Sequence, residues 1–359
     1  MDCTVHCKLS EPLDGLYLPY INCLQEIMNH GLLVAAVYSR FTHIIWGSSF
    51  ILMKRGLTSF SYTQVGTLRV SIAALFMSIV GFRHFKLFAR KDLASLAIVG
   101  FLGNAIPYVL FPLAVNHLDS GVVGIINSLV PLFTVLIGGW FFGQKATGTQ
   151  WQGVAVGLLG AVLLILPFEE ILNGGFAIEG ELAYGFFGVL ATMMYGTSVN
   201  TLKTNLPHLK ALTITTLSLA TAAPFTIAFS LLSGVTEVFK TDPNAWTNFG
   251  YIAVLGILGS GIAVIIFNRL IQITTALFSS SVTYAIPVVA ILWGIWDGEH
   301  ILWNHLLGLG VTADRMISMI SMVSMKSMER LVSVVSMVSM GMASMRSMER
   351  LVEYGKSGS

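Results

Sequence analysis

Gly100-Phe101-Leu102-Gly103-Asn104-Ala105-Ile106 returns as Gly256-Ile257-Leu258-Gly259-Ser260-Gly261-Ile262, 156 residues further along the chain. At the same offset Phe111 falls on Phe267, Pro131 on Pro287, Gly138 on Gly294 and Trp140 on Trp296. A second offset, 149, lays Trp46-Gly47-Ser48-Ser49 on Tyr195-Gly196-Thr197-Ser198 and Lys54 on Lys203. The chain therefore carries one structural unit twice, and the medium around that unit decides what it can be.

Composition identifies the medium. Of 359 residues 55% are hydrophobic and 11% charged, with a mean hydropathy of +0.77. A soluble domain faces water with roughly 25% charged residues, so this chain has too little polar surface for water and belongs in lipid. A span needs about 20 apolar residues, and runs near 34–53, 62–82, 93–115, 119–142 and 151–168 meet or approach that length. Five more lie near 182–202, 211–234, 247–268, 272–296 and 300–313. Lipid satisfies no backbone group, so runs of this length are helices. The first run is interrupted by Arg40 and His43, and the last is cut short at Asp314 and Arg315.

The two offsets place span one on span six, span three on span eight and span four on span nine. A unit with an odd number of spans must enter the membrane the other way up in its second copy. Inverted repeats of this kind are how many secondary transporters build two interchangeable halves. The expected fold is an all-α integral membrane protein of about ten transmembrane helices in a five-plus-five inverted repeat. Residues 1–33 form an N-terminal extension, 34–168 the first repeat, 182–313 the second and 314–359 a tail.

With both termini cytoplasmic, the inner loops hold Arg83, Lys86, Arg90, Lys91, Lys145, Lys203, Lys210 and Arg269, against Lys54, Arg55 and Lys240 outside. Positive charge collects on the cytoplasmic side, so this orientation in the cell membrane is the expected one. Residues 31–39 are too short an apolar run, with no basic stretch before them, for a secretory signal. In the tail, methionine recurs every third residue from Met316 to Met328, and Ser-Met-Glu-Arg-Leu-Val occurs at 327 and 347. A period of three drifts around a helix, which favours a low-complexity appendage over an amphipathic helix on the inner leaflet.

Ile45-Trp46-Gly47-Ser48-Ser49-Phe50-Ile51, Leu68-Arg69 followed by Ile72-Ala73-Ala74-Leu75, and Asn127-Ser128-Leu129-Val130-Pro131-Leu132 resemble the drug/metabolite transporter superfamily, in the branch built from two EamA domains. The resemblance covers about residues 44–312. It implies a central cavity between the two halves and the movement of small metabolites such as amino acids or drugs. Arg40 and Asp314 stand where that family continues with apolar half-helices.

Candidate site residues are the polar and aromatic groups at membrane depth. Trp46, Ser48 and Ser49 in span one match Tyr195 and Thr197 in span six; such an element either packs helices closely or lines a cavity. Arg69 is the lone Lys or Arg well inside the stronger spans. A cation there either snorkels to the surface or faces an anionic substrate. Asn104, Tyr108, Asn127, Ser128, Asn200, Asn268 and Tyr284 complete the set, each able to bond a neighbouring helix or a substrate. Pro131 and Pro287 are expected to kink spans four and nine, freeing carbonyls.

No Asp or Glu lies deep in a span, so the usual proton relay is missing, and exchange or facilitated movement remains. Catalytic motifs are absent, Cys3, His6 and Cys7 have no second ligand pair for a metal, and no cofactor is expected. A net charge of +2 gives no reason to invoke nucleic acid. The expected partners are a small-molecule substrate and the bilayer, with a homodimer left open. The reading is a secondary transporter and not an enzyme; the alternative is a non-transporting or inactive membrane paralogue or scaffold.

Overall fold

The computed structural model describes residues 17–118, 120–144, 182–280, 282–283 and 286–298, together with 147, 148, 151, 152 and 155. Spans five and ten and the tail therefore lie almost wholly outside the described residues. Residues 35–319 form one unit, and the site lies within it. No strand occurs among the described residues, and the architecture is the expected all-α membrane fold.

Helix α1 (Tyr17–Leu57) runs through Arg40 and His43. The two residues interrupt the apolar run and not the helix, since Arg40 is exposed and arginine costs a helix almost nothing in backbone terms. Next comes α2 (Tyr62–Val80), opened by a reciprocal cap: Gln64 N–H donates to Ser61 Oγ at 3.3 Å and Ser61 N–H donates to Gln64 Oε1 at 2.9 Å. Span three is α3 (Leu93–Gly100), a π-helical segment (Phe101–Ala105) and α4 (Pro107–Val115). Span four is broken, with α5 (Ser120–Asn127) and α6 (Val130–Phe141) separated at Ser128 and Leu129.

The second half repeats the pattern. α7 (Gly185–Asn205) and α8 (Ala211–Leu232) answer α1 and α2. After the short α9 (Val235–Thr241), span eight is α10 (Ala245–Val254), a second π-helical segment (Leu255–Ile262) and α11 (Ala263–Ile273). Of span nine, α12 (Ala276–Ser280) and α13 (Ile286–Trp296) are described. Pro131 is the second residue of α6; residues 284 and 285, just before Ile286 and Pro287, lie outside the described residues. Pro131 opens a helix where a missing N–H is tolerated and does not bend one in mid-course.

Four helical stretches, Tyr62–Val80, Arg90–Val115, Ala211–Leu232 and Ala245–Ile273, are long and apolar enough to cross a membrane. They are spans two, three, seven and eight, two from each half. Trp140 and Trp296, equivalent across the repeat, are 72% and 74% exposed and sit at helix ends, where tryptophan favours the membrane interface.

Glycine contacts show how the halves interlock. A Cβ on Gly100 would lie 2.2 Å from the Ser218 carbonyl oxygen, and one on Gly256 would lie 2.9 Å from that of Arg69. A Cβ on Gly103 would meet Ser198 Oγ at 2.3 Å and one on Gly259 would meet Ser49 Oγ at 3.2 Å. The two offsets carry each contact onto its counterpart. Span three of the first half thus packs on spans six and seven of the second, and span eight on spans one and two. Close approach of this kind needs small residues, since lipid supplies no hydrophobic drive between helices.

Candidate functional site

The cavity between the halves is lined from both. Trp46, Ser49, Arg69, Asn104, Tyr108, Asn127, Tyr195 and Asn268 all border it. Four other candidates do not. Ser48 donates to the Ile44 carbonyl at 2.8 Å and accepts from Trp293 Nε1 at 2.9 Å, on an outer groove between α1, span eight and α13. Thr197 donates to the Met193 carbonyl at 3.1 Å, a helix-internal bond. Asn200 donates Nδ2 to the Thr134 and Gly196 carbonyls, both at 2.9 Å, and accepts from Gln144 at 3.0 Å, so its amide fastens α7 to α6. Ser128 is buried at the break in span four and does not line the cavity, although Asn127 and Val130 on either side do. Tyr284 lies outside the described residues.

Two aromatic pairs frame the cavity and obey the repeat. The ring of Trp46 meets that of Phe267 edge-on at 4.8 Å between centroids, and Tyr195 stacks with Phe111 at 5.7 Å. Each pair joins span one or six to the span three or eight of the other half. Trp46 also donates Nε1 to the Gly259 carbonyl at 2.9 Å. Ala263 N–H reaches back five residues to Leu258, so the π-helical turn leaves the Gly259 carbonyl to an outside donor, and the indole supplies it.

Arg69 is 3% exposed and turned inward, not toward the end of its helix. Nε donates to Ser260 Oγ at 2.6 Å, the guanidinium carbon sits 3.7 Å from the centroid of the Tyr108 ring, and Nη1 is 3.9 Å from Met53 Sδ. No ion pair to Arg69 occurs among the described residues. The cation is held by a hydroxyl and an aromatic face, and its desolvation is offset by neither a carboxylate nor bulk water.

Asn104 stands within the first π-helical segment and is 1% exposed. Its Nδ2 donates to the Val99 carbonyl at 3.1 Å, while Oδ1 has no partner among the described residues. Asn268 donates to Thr215 Oγ1 at 2.9 Å, which ties α11 to α8 as much as it serves the cavity. Ser198 and Thr283 also border the cavity. Neither was singled out, although they are the repeat partners of Ser49 and Asn127 and the offsets pointed to both.

The EamA-like transporter family matches the chain twice, over residues 34–166 and 183–313. The chain is 26% identical over 284 residues to the uncharacterized inner membrane transporter YedA of Escherichia coli K12, covering 76% of this chain and 85% of the relative. It is 24% identical over 263 residues to a probable terminal-alkyne amino-acid exporter of Streptantibioticus cattleyicolor, covering 72% of this chain and 84% of that one. A probable amino-acid metabolite efflux pump of Escherichia coli K12 is 26% identical over 135 residues, 36% of this chain and 42% of the relative. One crystal structure at 16% identity superposes with a TM-score of 0.57, covering 82% of this chain and 98% of its own. At that identity the likeness bears on the fold alone.

Proposed function

This membrane protein belongs to the EamA-like transporter family, and on that premise we propose that it moves a small metabolite across the cytoplasmic membrane by alternating access, with the substrate in the cavity between the two repeats. The observation that carries this reading is the matched pair of interlocks, Gly103 on Ser198 and Gly259 on Ser49. Two halves joined by equivalent contacts can exchange conformations, and the exchange turns a site open to one side into a site open to the other.

Arg69 binds an anionic group of the substrate. Its support is a buried cation that borders the cavity without an ion-pair partner among the described residues. A phosphorylated sugar would want more than one buried cation, whereas the described lining supplies one. The printed names of two relatives, an amino-acid exporter and an amino-acid metabolite efflux pump, fit a carboxylate-bearing substrate. No acidic residue borders the cavity among those described, which favours exchange or facilitated movement over proton coupling.

Purified protein in liposomes tests this reading. Uptake and efflux are measured against labelled amino acids, aromatic monocarboxylates, purines and cationic dyes. Saturable movement of a carboxylate, absent from protein-free liposomes, is expected. Movement of no compound in either direction would leave the non-transporting paralogue.

A further inference from the structure

The cavity obeys the repeat in much of its packing and departs from it at three polar residues. The contacts of Gly103 and Gly259 and the Trp46–Phe267 and Phe111–Tyr195 pairs have counterparts under the two offsets, as do Ser49 with Ser198 and Asn127 with Thr283. Arg69 falls on Ser218, Asn104 on Ser260, and Tyr108 on Val264. These departures meet in space: Arg69 bonds Ser260 and lies over Tyr108. Symmetric contacts serve an exchange of conformations, which both halves must perform alike. A substrate without that symmetry has to be held by residues that break it.

Resting on the proposed anion site at Arg69, we infer that Ser260 and Tyr108 are positioning residues that fix the guanidinium so that its Nη1–Nη2 edge faces the substrate, and that the site takes a monocarboxylate. Arginine has five N–H donors in a planar fork. Ser260 Oγ takes the Nε donor, and Ser260 is itself 0% exposed. Tyr108 covers one face of the plane. Met53 Sδ, near Nη1, is a weak acceptor. The Nη1–Nη2 edge therefore keeps its strong donors, spaced for the two oxygens of one carboxylate.

Gly259 completes the arrangement. A Cβ there would come within 3.2 Å of Arg69 Nη2, so a side chain would crowd the fork that Ser260 orients. At the equivalent position in span three, Asn104 turns its Nδ2 back onto its own helix at Val99. The first half keeps that position's donor to itself, and the second half lends its hydroxyl to the arginine of the other half.

The test compares benzoate with benzamide and phenylacetate with phenylacetamide, pairs of one shape and different charge. Apparent affinities are read from transport or its inhibition in liposomes holding the full chain at matched protein amounts. Wild-type protein prefers each carboxylate. Ser260→Ala is expected to lower the carboxylate-over-carboxamide ratio about tenfold, and Ser260→Thr, which keeps the hydroxyl, to recover most of it. Ser260→Cys, close in size with a weaker acceptor, repeats the test if the alanine variant folds poorly. A merely structural serine would change both members of a pair by the same factor, and that result, or no change at all, overturns the positioning role. Wild-type protein with no preference for either carboxylate would instead remove the anion site on which the inference stands.

Discussion

Gly47 and Val289 touch so closely that a Cβ on the glycine would lie 2.4 Å from the valine Cβ. The contact joins span one to span nine. Its counterpart under the repeat joins span six to span four, where a Cβ on Gly196 would lie 2.8 Å from the carbonyl carbon of Phe133. The Trp46-Gly47 and Tyr195-Gly196 elements therefore do both things their sequence allowed: the glycine packs a helix while the adjacent ring borders the cavity.

The two contacts should respond differently to a methyl group. Gly196→Ala drives against backbone that cannot rotate away, and overpacking of this kind costs about 1–3 kcal/mol. Gly47→Ala meets the Val289 Cβ, an atom that only glycine lacks, so Val289→Gly should relieve it. Thermal unfolding in detergent should show a lower midpoint for Gly196→Ala, and a positive coupling of at least about 0.5 kcal/mol between Gly47→Ala and Val289→Gly in a double-mutant cycle. Strict additivity would mean the two side chains do not meet.

Orientation is tested by impermeant labelling in a background with Cys3, Cys7 and Cys23 replaced by serine. The distribution of Lys and Arg predicts that cysteine at Gly174 reacts from outside intact cells and cysteine at Lys86 does not. The opposite pattern would reverse the assignment.

Much of the architecture was legible because it is written twice. The offsets relate the spans of the two halves, and with them the paired contacts of Gly47 and Gly196, Gly100 and Gly256, and Gly103 and Gly259; the contacts of Gly81 with Thr216 and of Gly124 with Ala290 have no glycine counterpart. The break in span four was legible only as a proline, since composition marks where a donor is missing and not whether the chain bends or restarts. The π-helical turns left no composition signal, because a wider turn is chosen by packing around Gly100, Gly103, Gly256 and Gly259. Asn200 was read as a candidate since an amide at membrane depth looks alike from the sequence whether it faces a cavity or a helix. Three hydrogen bonds decide it: to the Gly196 carbonyl of its own helix, to the Thr134 carbonyl of α6 and from Gln144 just beyond α6. Arg69 carried the same ambiguity, and the inward turn of its side chain came from Ser260 and Tyr108, far from it in the chain.

Replacing Arg69 with Lys preserves the charge and removes the fork. Lysine has no counterpart to the Nε that Ser260 holds, and an ammonium stacks less well over Tyr108. Transport of carboxylate-bearing substrates should weaken about tenfold or more, roughly 1.4 kcal/mol, with unchanged amount and topology in the membrane. Equal transport by both proteins would take Arg69 out of the site.

Alternating access requires that one cavity position be open to each side in turn. Asn127 borders the cavity at the end of α5, next to the break in span four. In the cysteine-free background, Asn127→Cys in sealed vesicles of either orientation is exposed to an impermeant thiol reagent, with and without a transported carboxylate. Labelling from both sides, slowed by the substrate in both, is the predicted result. Labelling from one side alone, whatever the substrate concentration, would contradict a site that the two repeats open alternately.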